Sequence, residues 1–160
     1  MDFGPGFYTT SSEDFAINTA KFRTFRENER HPEANYKAVV VSFECDMERL
    51  KQLRIKEFET ASNSWGRFVI ANRAHRKYVR ESTVHNCDQR FDCVIGPTAD
   101  GKSGTIDKLV ELVETGKVPL YRIKCGSIFP SNHGVWGDQY SFHTNEAISC
   151  LRLKNVVYYD

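Results

Sequence analysis

Apolar residues along the chain recur at two spacings, and the spacings separate strands from helices. Phe7 to Thr10, a run of aromatic and β-branched residues, predicts a short strand. Ser11 and Ser12 ahead of Glu13 and Asp14 form a helix start, a capping hydroxyl followed by early acids. Phe15, Ile17, Ala20, Phe22 and Phe25 continue at partly helical spacing up to the break at Pro32. Tyr36 to Cys45 is the clearest strand, and its dense valine run predicts burial on both faces. Leu50 to Phe58 alternates around Leu53 and Ile55, which predicts a strand with one wet face. Trp65 to Val79 reads as one amphipathic helix with Trp65, Phe68, Val69, Ala71 and Asn72 near its inner side.

Phe91 to Ile95 predicts a short buried strand stopped by Gly96 and Pro97. Thr105 to Thr115 is a helix with Ile106, Leu109, Val110, Leu112 and Val113 inward and Gly116 at its end. Leu120 to Cys125 reads as a strand or an extended connection. Gln139 to His143 alternates again, Asn145 to Leu151 predicts a short helix, and Leu153 to Tyr159 a last strand. Helices and strands are mixed without strict β-α-β alternation, so the fold class is α+β.

Length and composition place the whole chain, residues 1–160, in one globular domain. The formal net charge of +1 gives no global attraction to nucleic acid or an anionic membrane. Arg73, Arg76, Lys77 and Arg80 are spaced to share one helical face, a local basic patch or simply a solvated one. Five cysteines at irregular spacing predict reduced thiols rather than a disulfide framework, hence a cytoplasmic protein. The opening residues lack the basic and apolar regions of a signal peptide, and no apolar run is long enough to span a bilayer.

Two segments carry candidate chemistry. Gly4, Pro5 and Gly6 ahead of Phe7 and Tyr8 can bring backbone close to a ligand, with Tyr8 as a stacking ring; the plainer reading is a glycine turn before a core strand. Alternation puts Gln139, Ser141 and His143 on one side of a strand and Tyr140 and Phe142 on the other. Three hydrogen-bonding side chains then line one surface, either as a site or as an ordinary solvent-facing side. Asp2-Phe3-Gly4 matches a kinase metal-binding tripeptide, but no nucleotide lobe or catalytic loop precedes it. His85, Cys87 and Cys93 lack the paired spacing of a structural zinc site, so no metal is expected.

Four blocks in order resemble the DUF3990 group of ADP-ribosyltransferase-like proteins: DFGPGFYTT (Asp2 to Thr10), WGRFVIANR (Trp65 to Arg73), FDCVIGPTADG (Phe91 to Gly101) and DQYSFHTNEAISCLRL (Asp138 to Leu153). The resemblance implies a split, mainly antiparallel β-core with helices around a cleft for NAD, which is a substrate rather than a resident cofactor. It assigns Tyr8 to the nicotinamide-stacking position and Gln139 to the position where related enzymes carry a ribose-binding glutamate. Gly6, Phe7, Tyr8, Thr9, Ser141 and His143 then line the NAD pocket. The family's His-Gly pair ahead of the first block has no counterpart before Met1, so the first family strand is expected to be missing; His133-Gly134 lies too far downstream to match.

Gln139 cannot ionise, so it can assist only by hydrogen bonding, and a glutamate substituted there is expected to restore a useful charge. Three functions follow. One is transfer of ADP-ribose from NAD to a macromolecular acceptor, protein rather than nucleic acid, by a cytoplasmic enzyme or by a toxin or effector delivered into a host cytoplasm. The second is an inactive binding module with the same fold. The third is a nucleic-acid modifier, supported only by the Arg73 to Arg80 cluster.

Overall fold

The computed structural model describes residues 1–99, 104–125 and 137–159. In chain order it contains β1 (Phe7–Thr10), α1 (Glu13–Arg30), β2 (Ala38–Cys45), α2 (Met47–Leu50), β3 (Ile55–Glu57), α3 (Asn63–Arg73), α4 (Lys77–Glu81), β4 (Cys93–Pro97), α5 (Thr105–Glu114), a 3₁₀ turn (Leu120–Arg122), β5 (Asp138–Phe142), α6 (Asn145–Ile148) and β6 (Leu151–Tyr159). The strands form two separate sheets. One has the order β1-β5-β4-β3 and the other is a β2-β6 ribbon. All pairings are antiparallel except β3 with β4, so the larger sheet is mixed.

The larger sheet lies between two apolar cores. Val94 belongs to a core with Phe3, Trp65, Phe68, Ile70 and Ile123. Cys93, Ile95 and Phe142 belong to the other, with Leu50, Ala147 and Cys150. Helix α3 is buried nearly all round, from Trp65 to Asn72, so it is a core helix rather than a surface one. Its N-cap is Ser62, whose hydroxyl accepts from the Trp65 amide.

Several sequence expectations need correction. The helix from Trp65 to Val79 is broken: Ala74 is extended, and the carboxylate of Glu114 accepts from the amides of His75 and Arg76. Arg73 and Arg80 are therefore not on one helical face. Arg73 pairs with Asp2 and Asp107, while Arg80 donates to the Ala74 carbonyl. The Leu50 to Phe58 strand shrinks to Ile55–Glu57 because its first part closes α2, capped by Asp46. Leu120 to Cys125 forms a 3₁₀ turn at Leu120–Arg122 rather than a strand. Gly96 and Pro97 do not stop β4 but belong to it, paired with Gln139 and Asp138.

The valine run of β2 is buried on neither face completely, since only Ala38 is fully buried in that strand. An isolated two-stranded ribbon is marginal in water and needs a supporting layer. Helix α1 supplies one, with Lys21 over the Tyr159 ring, while Val39, Val41, Val156 and Tyr158 stay exposed on the ribbon. Phe22 and Phe25 of α1 are exposed as well, and no α1 residue is fully buried. No described helix is long and apolar enough to cross a membrane.

Asp92 ties β3, β4 and the start of α6 together. Its carboxylate accepts from the Arg54 amide, Nε and Nη2 at 2.9, 2.9 and 2.8 Å. Those bonds and Thr144 hold its pKa down to about 2. A depressed carboxylate stabilises the fold above its unfolded pKa and loses that contribution as pH falls through the folded value. Asp92→Asn is expected to cost about 1–3 kcal/mol at neutral pH, toward the lower end because the Arg54 side chain is 62% exposed. Chemical denaturation should show the two proteins converging as pH drops from about 4 toward 2. A gap that stays constant over that range would remove the ion pair from the account.

Candidate functional site

The four blocks that are far apart in sequence meet at the carboxylate of Asp2. Asp2 is nine-tenths buried. From α3, Arg73 donates from Nε to Oδ1 at 2.7 Å. After β4, the Ala99 amide donates to Oδ2 at 3.3 Å. From β5, the Gln139 amide nitrogen donates to the same oxygen at 3.3 Å and to the Pro97 carbonyl at 3.4 Å. A buried carboxylate needs such company, because desolvation is offset only by a counter-charge and hydrogen bonds. Arg73 supplies the charge and the amides supply the bonds.

The segment between Asp2 and β1 is clasped by Tyr8. Its hydroxyl donates to the Gly4 carbonyl at 2.6 Å and accepts from the Phe3 amide at 3.0 Å. Burial pushes the phenol pKa far above its ordinary value, so Tyr8 stays neutral. Gly4 adopts φ +94°, and a Cβ there would lie 2.9 Å from the Asn86 carbonyl oxygen. Asn86 is itself fixed: its amide donates to the Asn72 side chain at 2.7 Å, and its own side chain brackets Phe91.

Strands β1 and β5 are direct neighbours, with Tyr8 opposite Ser141, Thr9 opposite Tyr140 and Thr10 opposite Gln139. Cross-strand partners share a face, so Tyr8, Gln139 and Ser141 lie on one side of the sheet. Phe7, Thr9 and Tyr140 lie on the other. Of the predicted pocket residues, Phe7 and Thr9 are thus separated from Tyr8, and Gly6 and His143 flank it. Phe7 is 41% exposed and meets the Phe43 ring edge-on.

The polar side of β5 is not solvent-facing. Gln139, Ser141 and His143 are 8%, 0% and 5% exposed. The His143 ring stands edge-on to Tyr8 with centroids 6.3 Å apart. Its Nδ1 is 2.6 Å from the Pro5 carbonyl, which can only accept, so Nδ1 carries the proton. Burial lowers the His143 pKa, which favours the neutral ring; the Ser141 hydroxyl, with a single proton, lies 2.9 Å from Nε2 and 3.0 Å from the Val94 carbonyl. Gly6 is required by this packing: a Cβ there would fall 2.7 Å from Nδ1 of His143.

Chemically, most of this face is already engaged. The Tyr8 hydroxyl bonds backbone on both counts. Both amide hydrogens of Gln139 point at acceptors, Asp2 and Pro97, which fixes the amide orientation. Gln139 therefore offers a ligand its carbonyl oxygen, an acceptor for a hydroxyl donor. The sequence singles out Tyr8 and Gln139, but it suggests Arg73 only as part of a basic patch and Asp2 only within a rejected kinase-like tripeptide. Their presence in two separate blocks was the signal available. His133-Gly134 and Asp100-Gly101 lie outside the described residues.

The Asp2 contact also sets the cost of a charge at position 139. Glutamate in place of Gln139 would set a second carboxylate beside Asp2 and the Pro97 carbonyl. Like charges and burial raise its folded pKa, so the variant is expected to be stable below the unfolded glutamate value and to weaken as pH rises. The expected cost of Gln139→Glu is about 1–3 kcal/mol at about pH 7.5, shrinking toward about pH 4. Thermal melts at both pH values check this; a variant equal to wild type at the higher pH would show that the amide does not bond Asp2.

Comparison with known proteins gives one positive result. No curated protein and no solved structure matches the chain. The family DUF3990, described as a protein of unknown function, matches residues 1–153. That span includes every residue of the Asp2 cluster, and the chain belongs to the DUF3990 family.

Proposed function

We propose that this chain binds NAD against the β1–β5 face and transfers its ADP-ribose group to a macromolecular acceptor, using an ADP-ribosyltransferase-like split β-core. The observation that carries the reading is the pairing of β1 with β5. It sets the two positions singled out by resemblance, Tyr8 and Gln139, on one side of adjacent strands although they lie 131 positions apart (139 − 8).

In this reading the Tyr8 ring orients nicotinamide and the Gln139 carbonyl oxygen accepts from a ribose hydroxyl. The bond between ribose C1′ and the nicotinamide nitrogen breaks, and its electron pair goes to the nicotinamide ring. The acceptor nucleophile bonds C1′ and releases its proton. The carbonyl dipole of Gln139, held in place by Asp2 and Pro97, faces developing positive charge on the sugar without needing to reorganise.

A second reading is favoured by the same hydrogen bonds. On this face the ionisable groups are engaged: Tyr8 is neutral and clasped, and both ring nitrogens of His143 have partners. A face without an available base suits binding without turnover.

Calorimetry with NAD, run beside a nicotinamide-release assay, separates the readings. Transfer predicts release by wild type and its loss in Gln139→Met, which keeps the volume and removes the amide. Tyr8→Ala is expected to weaken NAD binding several-fold, since an aromatic contact is worth roughly 0.5–1.5 kcal/mol beyond burial. Binding without release selects the module. Absence of both removes NAD from this protein.

A further inference from the structure

Away from the Asp2 cluster, a cavity of about 450 Å³ opens between α3, α4, the end of α5 and the 3₁₀ turn. Its walls are mostly apolar, with Val113, Leu120 and the rings of Tyr78 and Tyr121. Arg67 enters it from α3. The volume falls in the range of roughly 300–1,000 Å³ typical of small-molecule sites.

Arg67 differs in its surroundings from Arg73 and Arg54. Arg73, in the same helix, pairs with two carboxylates, and the Arg54 guanidinium is bonded twice to Asp92. Arg67 donates from Nη2 to the Tyr121 carbonyl at 2.8 Å and has no carboxylate partner among the described residues. Its Nε is buried with no acceptor. A guanidinium held partly out of water without a counter-charge costs free energy that a bound anion would offset. The hydroxyl of Tyr78 is already given to the Val113 and Glu114 carbonyls, so that ring offers the cavity its apolar surface rather than a donor. A second cation, Arg122, sits over the Tyr121 ring, 5.9 Å from its centroid. The wall composition selects an apolar body, and the cation without a carboxylate partner selects a single negative charge on it.

We infer that this cavity binds a small organic carboxylate with an aromatic or branched apolar body, its carboxylate on Arg67 and its body against Val113, Leu120 and Tyr121. None of these residues belongs to the β1–β5 face, so the site stands whether or not the chain binds NAD.

The test uses the full chain with two probes, phenylacetate and its neutral isostere phenylacetamide. Amide chemical shifts are followed during each titration. Phenylacetate should move the signals of Arg67, Tyr121 and their neighbours, and phenylacetamide should bind at least about tenfold more weakly, the lower end of what a hydrogen bond to a charged group contributes. Arg67→Met fills similar space without the charge. It should melt at or above the wild-type temperature, because it removes an uncompensated cation, while losing at least about tenfold in phenylacetate affinity. Should Arg67→Met fail to fold, Arg67→Lys, which keeps the charge but not the planar fork, should still prefer phenylacetate over the amide, and more weakly than wild type. Equal affinity for the two probes, shifts confined to other regions, or undiminished phenylacetate binding by Arg67→Met would overturn the assignment.

Discussion

A buried carboxylate cannot stand alone, and the arrangement around Asp2 follows from that constraint. Placing this acid inside requires a cation, which Arg73 provides from a core helix, and further donors, which come from Ala99 and Gln139. Each partner belongs to a different element. Satisfying one side chain thereby positions the chain's opening residues, α3, the exit of β4 and the entry of β5 relative to one another. The apolar cores on either side of the sheet supply most of the driving force, but they are non-directional. The polar cluster fixes the register in which they pack.

The same logic explains why the candidate face is enclosed. Polar groups on an inner strand face must pair with something, and here they pair with backbone: Tyr8 with Gly4 and Phe3, His143 with Pro5, Ser141 with Val94. Such pairing makes the surface rigid. It also limits what is left for a ligand to the few atoms that the protein does not itself use, the carbonyl oxygen of Gln139 foremost.

Much of this was legible in the sequence, for identifiable reasons. β1, α1 and α5 were readable because local signals agree: aromatic and β-branched residues, a serine cap followed by acids, and a regular apolar stripe ended by glycine. The errors came from tertiary effects. Nothing in residues 65–79 announces that Glu114 will capture two amides and break the helix. The valines of β2 look like a central strand because propensity cannot report how many neighbours a strand has. The Gln139, Ser141, His143 alternation was read correctly as one face, but alternation alone does not say whether a polar face is wet. The tripeptide around Asp2 invites only a kinase comparison that fails, because the partners that give this acid its place, Arg73, Ala99 and Gln139, are distant in sequence.

The approach of Gly6 to His143 has a consequence for how this sequence can change over time. A side chain at position 6 and an imidazole at position 143 would claim the same volume. Shrinking residue 143 alone does not release position 6, because a Cβ there would also lie 2.8 Å from the Phe142 backbone carbonyl oxygen, an atom that no substitution removes. Glycine at position 6 is therefore expected to persist whatever residue stands at 143, whereas 143 can change while glycine stays.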